Sequence, residues 1–279
     1  MKNPIFTRYL YFKTEVINSL HWSLLDHQIE ESLYWAYEIY FSGFQDEIFS
    51  FLHEFYRMYQ KEIHPEYDYR ISKLYEEWVE TKKDHCIIGT VVKLISDGKL
   101  SITNMLRRKQ NVKVYKHPIE TKIENEFVEI NRLLPEDIHK YHTLKLTKSM
   151  RNWSFLDKVA CKFHIRRIMC SDLSIVHPLV DSFNFDDWLY YASFTPIWRQ
   201  RISKFKGKID DINNTVIIED EEFNNTYDYE PDEQSKELKQ MLWCNGLEIY
   251  ENLPISEFCK KYSNDNVYRK CVLLSRQTV

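Results

Sequence analysis

Five glycines among 279 residues set the narrowest limit on what this chain can fold into. Glycine supplies the left-handed backbone of two-residue hairpins and the close approach of a loop to a phosphate. A chain with so few is a poor candidate for a barrel, a sandwich, a dinucleotide-binding sheet or a phosphate loop. Eight prolines add little to the supply of turns, while 19 Tyr, 16 Phe and 7 Trp bring a large apolar volume that must be buried. The expected class is mainly α: a helical-repeat, solenoid-like stack or an irregular helical bundle, with at most a few short strands.

The first hundred residues read as successive amphipathic helices. Thr7 is placed to cap one with Leu10, Val16, Ile17, Leu20 and Leu24 inward. Asp26 is placed to cap the next, in which Ile29, Leu33, Ala36 and Tyr40 recur at helical spacing. Ser42-Gly43 then provides a left-handed stop, and Phe44 the apolar contact that accompanies one. Tyr34, Trp35, Tyr37 and Tyr40 lie nearly all round this second helix, so a neighbouring helix or another protein has to cover its far side. A third helix runs from near Asp46 to His64-Pro65, and a fourth turns Tyr67, Ile71, Leu74 and Trp78 inward. The apolar run from Cys86 to Ile95 is a fifth helix or, given its β-branched content, a buried strand.

Further on, Val112 to Tyr115 alternates like a strand, Pro135-Glu136-Asp137 opens a helix, and Phe155, Val159 and Phe163 share a helical face. Thr195-Pro196 is a cap and first-turn pair for a helix with Trp198, Ile202 and Phe205, closed by Gly207. Residues 209–233 hold ten acids and no base around Thr215-Val216-Ile217-Ile218, which reads as an exposed acidic loop with one strand. Helices after Pro231 and from Ile255 to Tyr262 complete the chain.

The net charge of −4 conceals a segregation into three blocks. Residues 1–100, an aromatic-rich helical region, carry 11 Lys/Arg against 16 Asp/Glu; residues 101–209 carry 20 against 11; residues 210–279, the acidic loop and last helices, carry 7 against 15. The connections between them are short and the three read as one continuous domain. The middle block is where a polyanion would bind. Its candidates for a nucleic-acid or partner surface are Arg107, Arg108, Lys109, Lys113, Lys148, Arg151, Arg166, Arg167, Arg199 and Arg201, with Trp153, Phe155 and Trp198 near enough to stack on unpaired bases. A solvated helix face explains the same charges, as does internal pairing with Glu219-Asp220-Glu221-Glu222.

Motifs for chemistry are sparse. Pro231-Asp232 followed by Glu237 and Lys239 has the residue types of a magnesium nuclease, but the spacing falls within one helix instead of on adjacent strands. Cys161, His164, Cys170 and His177 have the donor types for tetrahedral zinc, though cysteines of this kind are more often small core residues. No glycine-rich phosphate loop or Gly-x-Ser-x-Gly nucleophile turn occurs. The expectation is a non-enzymatic chain without cofactor. Six scattered cysteines fit reduced thiols inside a cell, and no run of uncharged apolar residues is long enough for a membrane span.

Four blocks, RYLYFKTEV (8–16), IEESLYWAYEIYFSGF (29–44), YASFTPIWRQRI (191–202) and YDYEPDEQS (227–235), resemble those of an uncharacterised protein family of giant nucleocytoplasmic DNA viruses. That resemblance spans most of the chain and implies a viral protein acting in the cytoplasm of the infected cell, with no catalytic residues to carry over. A scaffold binding other proteins is the expected role, and RNA binding through the basic block is the alternative. The second includes a scaffold similar to the helical-repeat domain of translation-initiation factor 4G. Tyr69 and Leu74, followed by Tyr75, resemble the motif by which such scaffolds hold the cap-binding protein, although Leu74 also falls at a core position of its helix.

Overall fold

In the computed structural model the described residues are 4–81, 84–110, 132–141, 156, 162–170, 185–227, 229, 234–238 and 251–262, with the side chains of 107–110 and 185 outside the description. They are mainly helical. Helices α1 (Lys13–Leu25), α2 (Ile29–Phe41), α3 (Gln45–Tyr59), α4 (Glu66–Thr81), α5 (His85–Asp97) and α6 (Thr103–Gln110) follow in order. After them come α7 (Pro135–Ile138), which runs into a 3-10 turn at His139–Tyr141, then α8 (Trp188–Ala192), α9 (Pro196–Lys204), α10 (Glu221–Tyr227) and α11 (Ile255–Tyr262). Two short two-stranded pairings complete the described part. Strands β1 (Ile168–Met169) and β4 (Glu251–Asn252) are parallel, and β2 (Lys208–Asp210) and β3 (Thr215–Ile217) form an antiparallel hairpin. No helix among the described residues is long and apolar enough to cross a membrane.

The centre of the fold is α2, which packs against α1, α3 and α5. Every residue from Glu31 to Tyr40 is buried. A repeat stack, in which each unit meets only its neighbours, would leave one side of such a helix open, so the arrangement is the irregular bundle and not the solenoid. The far side of α2 is covered by this chain itself. Tyr141 stacks on Tyr37 at 5.2 Å, Phe163 meets Tyr34 at 5.3 Å, and Tyr11 meets Trp35 edge-on at 5.4 Å.

Gly43 stops α2 as its sequence predicts. It sits at φ +99°, the Phe44 amide donates to the Ile39 carbonyl, and the Gly43 amide donates to that of Tyr40, the paired bonds of a left-handed helix end. A Cβ here would stand 2.5 Å from the Pro196 side chain, so the same glycine lets α9 approach. The ambiguous fifth segment is a helix. Asp84 caps it by accepting from the Cys86 amide at 2.8 Å, and Gly89 leaves room for the Tyr37 hydroxyl, which donates to the His85 carbonyl at 2.9 Å.

Four expectations are corrected. Thr7 caps no helix: residues 5–13 form a tight hairpin closed by the Phe6–Phe12 bridge, with Leu10 at φ +64°, and α1 begins only at Lys13. Residues 6–12 are all buried, because the aromatic and apolar side chains at 6, 9, 10, 11 and 12 are worth more inside the bundle than on one face of a surface helix. Asp26 ends α1 instead of capping α2, and its carboxylate is engaged by distant cations. The acidic stretch 209–233 is not a loop with one strand, since it contains the β2–β3 hairpin and α10. Phe163 lies in a bend outside any helix. Val112 to Tyr115, Phe155, Val159 and Pro231 lie outside the described residues.

Candidate functional site

The structure divides the basic candidates. Arg107, Arg108 and Lys109 belong to the backbone of α6, and their side chains lie outside the described residues, as do Lys113, Lys148 and Arg151. The four that are described behave differently from one another. Arg166 is held between Asp26 (2.6 Å) and Glu31 (2.5 Å), while its amide donates to Ser19 Oγ at 2.9 Å. Burial would lower its pKa, but the two carboxylates outweigh that and hold the guanidinium charged. Arg167 meets the fully buried Glu15 at 3.3 Å. Arg201 is buried, lies over the rings of Trp198 (4.4 Å) and Tyr227 (4.7 Å), and donates to the Arg8 carbonyl at 3.3 Å. Arg199 alone among these four is exposed.

Arg166, Arg167 and Arg201 therefore fasten the chain to itself and do not present a cationic face. Their partners come from α1, α2 and the first hairpin, whereas Glu219, Asp220, Glu221 and Glu222 are exposed beside β3. Trp198 is fully buried, with its indole nitrogen donating to the Thr7 carbonyl at 3.0 Å, and cannot stack on a base. Leu74 is buried in the core and Tyr69 points outward, so α4 does not present Tyr69 and Leu74 together to a partner.

Two polar clusters tie the bundle together, one fully buried and one at its edge. In one, Glu38 in the middle of α2 accepts from Arg8 Nε at 2.8 Å and from the Tyr9 amide at 3.1 Å, while Arg8 Nη2 donates to the Tyr141 carbonyl at 2.8 Å. Ser42 Oγ accepts from the Arg8 amide at 2.8 Å, and Thr195 Oγ1 donates to the Phe6 carbonyl. In the other, Asp26 accepts from Tyr262 (2.6 Å) and from Lys261 (2.8 Å) on α11 as well as from Arg166. Burial pushes the Asp26 carboxyl up, but hydrogen bonds from Lys261, Tyr262 and Arg166 outweigh it and hold the group below the ordinary carboxylate range. Both clusters tie the N-terminal third to distant parts of the chain, at residues 141, 166, 195 and 261.

The zinc candidates are not assembled in the described part. Cys170 is fully buried and His164 is exposed, Cys161 and His177 lie outside the described residues, and among the described residues no three His, Cys, Asp or Glu side chains gather as metal ligands.

The surface feature that stands out is the β2–β3 hairpin. Ile209 pairs with Val216 and Lys208 with Ile217. Asp210 Oδ1 accepts from the amides of Ile212 (3.0 Å) and Asn213 (3.2 Å), and its other oxygen accepts from the Asn213 side chain at 2.8 Å. Asn214 takes the left-handed position at φ +54°. These bonds fix the turn and leave Ile212 at its tip 92% exposed and Ile217 54% exposed. At the base of the hairpin is a half-open pocket of about 270 Å³ between α8, β3 and α10, walled by Trp188, Val216 and Phe223 with Asp186, Asp187 and Asn224 among its lining. Residue-type reasoning missed Ile212, because ten acids with no base read as a solvated loop. The signal was present in the Asp-Asp-Ile-Asn-Asn turn between two short apolar runs.

No family model, no curated protein and no solved structure matches this chain.

Proposed function

We propose that this chain is a non-enzymatic, virus-encoded interaction module that docks a protein partner through the β2–β3 hairpin, in the cytoplasm of the infected cell. The observation that carries the reading is Ile212, an aliphatic side chain 92% exposed on a turn fixed by three hydrogen bonds from its own residues to Asp210. A turn fixed before docking loses little backbone entropy when a partner binds its tip. The viral setting rests on the four sequence blocks quoted above.

The test is a photo-crosslinking residue placed at position 212 in the full-length protein in infected cells, with the same group at exposed Glu80 on α4 as control. A protein adduct formed from 212 and not from 80, resistant to nuclease and lost in Ile217→Asp, is the expected result. Equal adducts from both positions, or none from 212, reject the reading.

The nucleic-acid alternative keeps one specific support, the exposed side chains of Arg199, Lys204, Lys206 and Lys208 around the end of α9. Four phosphate contacts to a single strand predict that log affinity falls with log salt at a slope of about 3. A single-stranded RNA probe bound with that slope, and released by Lys204→Glu/Lys206→Glu, promotes this alternative.

A further inference from the structure

Strand β2 leaves one of its edges open. Among the described residues it pairs with β3 alone, while β3 also packs on α8. A strand paired on one side points half of its backbone N–H and C=O groups the other way, where they are a template for another strand. Lys208 is exposed and makes no ion pair among the described residues, and Ile209 is 37% exposed.

The order of charge along this edge selects what can pair with it. Residues 206–212 read Lys-Gly-Lys-Ile-Asp-Asp-Ile, basic before Ile209 and acidic after it, so the sequence is complementary to itself when run backwards. Two copies of one edge, paired antiparallel about a two-fold axis perpendicular to the sheet, must set the axis where a residue faces its own copy, because opposed side chains share a face and successive ones do not. Strand β2 offers three such centres. An axis at Lys208 sets lysine against lysine, and one at Asp210 sets aspartate against aspartate; both arrangements are destabilising. An axis at Ile209 brings the two isoleucines together and sets Lys208 of each copy opposite Asp210 of the other. Asp210 already accepts three bonds within its own turn, and a carboxylate has about four acceptor sites, so a lysine ammonium is accommodated with the turn intact.

The same register gives Ile212 a place. Three residues from the axis at about 3.4 Å each, it lies about 10 Å along the edge, opposite position 206 of the second copy, where the exposed Lys206 stem covers it just beyond the end of α9. A parallel pairing in register would instead oppose like charges along the whole strand.

We infer that the protein docked by the hairpin is a second copy of this chain, joined β2 to β2 in an antiparallel two-fold pair centred on Ile209, so that two hairpins make one four-stranded sheet. The inference rests on the docking reading above and names its partner. A two-fold contact is used up by the two chains that make it, so the assembly stops at two.

Sedimentation equilibrium of the full-length protein tests it. The contact is small, so a dissociation constant below about 300 µM, and not a tight dimer, is expected. Lys208→Asp, which sets a carboxylate against Asp210, should weaken association by about tenfold or more. The decisive pair is Ile209→Lys and Ile209→Glu. Each alone should be monomeric, because each meets its own charge across the axis, and their equimolar mixture should form a heterodimer within about tenfold of the unsubstituted affinity. Thermal unfolding confirms that the monomeric variants are folded. A chain still monomeric at about 300 µM, single Ile209 variants as dimeric as the parent, or a mixture that associates no better than its components overturns the inference. The crosslink at position 212 keeps the two readings apart. An adduct of twice the chain mass supports both, an adduct with a different protein removes the second copy and leaves docking, and no adduct removes docking and this inference with it.

Discussion

The described part of this chain contains two short hairpins, residues 5–13 and 208–217, and they meet opposite fates. The first is swallowed: residues 6–12 are all buried, and many of its polar groups are met by Glu38, Ser42 and Tyr141 and by donors from Thr195, Trp198 and Arg201. The second stands in water and fixes its own turn through Asp210 and Asn213. A buried hairpin has to find partners for the groups it cannot pair internally, and here the Arg8 side chain, the Arg8 and Tyr9 amides and the Phe6, Thr7 and Arg8 carbonyls meet groups 29 to 193 residues away. An exposed one is under no such demand, so the apolar residue it keeps at its tip is free to serve binding.

The largest effect expected from breaking this contrast is at the buried ion pair. Glu38→Ala leaves the Arg8 guanidinium without its carboxylate in the core and should destabilise the fold by about 3–5 kcal/mol. Replacing both, as Arg8→Met/Glu38→Leu, should recover most of that loss, because a well-packed apolar pair needs no solvation; chemical denaturation of the three proteins checks both statements. A double variant as unstable as the single one would mean that the hairpin is held by its backbone bonds to Ser42 and Trp198 instead.

Gly43→Ala comes next. The residue would be forced to keep φ +99° and to push against Pro196, with an expected cost of about 1–3 kcal/mol in the denaturant midpoint. The effect should reach α9 and hence the ring of Trp198 over the first hairpin, while the Asn214 and Thr215 signals of the second hairpin stay in place.

The third test is pH. The Asp26 carboxyl is held below its ordinary range in the folded protein, so its contribution is fully present above the unfolded carboxylate pKa of about 4 and is lost as pH falls through the lower folded value. His85, pushed down by burial against a smaller opposing pull from Asp84, loses stability in the same direction, beginning below about pH 6.5. Thermal unfolding across pH 3–7 should therefore fall in two stages, and Asp26→Asn should flatten the lower one. A Tm that rises on acidification would contradict both assignments.

The smallest effect on stability and the sharpest on binding belong to the outer hairpin. Ile212→Ser should leave the unfolding free energy within about 0.5 kcal/mol, since the side chain is almost wholly in water, yet it should remove partner binding. A loss of stability comparable to that of Gly43→Ala would show that the tip packs inward and would remove the basis for docking.

Helix spacing made α2 to α4 legible, down to the Gly43 stop and the inward set Ile71, Leu74 and Trp78, whereas the β-branched run of α5 read equally as a strand. The site was much less so. Arg166, Arg167 and Arg201 look like a cationic surface when read in order, because charge counts along a chain do not register which carboxylate waits across the bundle. Ile212 was hidden by its acidic neighbours, although Asp210 and Asn213 carried the turn that exposes it.

The scarcity of glycine, the aromatic load and the 3.6-residue periodicity determined by themselves that this protein would be mainly helical, because backbone freedom and apolar spacing act over a few residues at a time. Tertiary structure decided the rest: that residues 5–13 leave the surface, that Asp26 binds cations from α11 and from Arg166 instead of capping a helix, and that the acidic stretch raises a hairpin beside a pocket. The first two of those outcomes depend on the free energy of burying or pairing a group with residues tens to hundreds of positions distant, which local spacing does not encode, whereas the hairpin closes on its own residues.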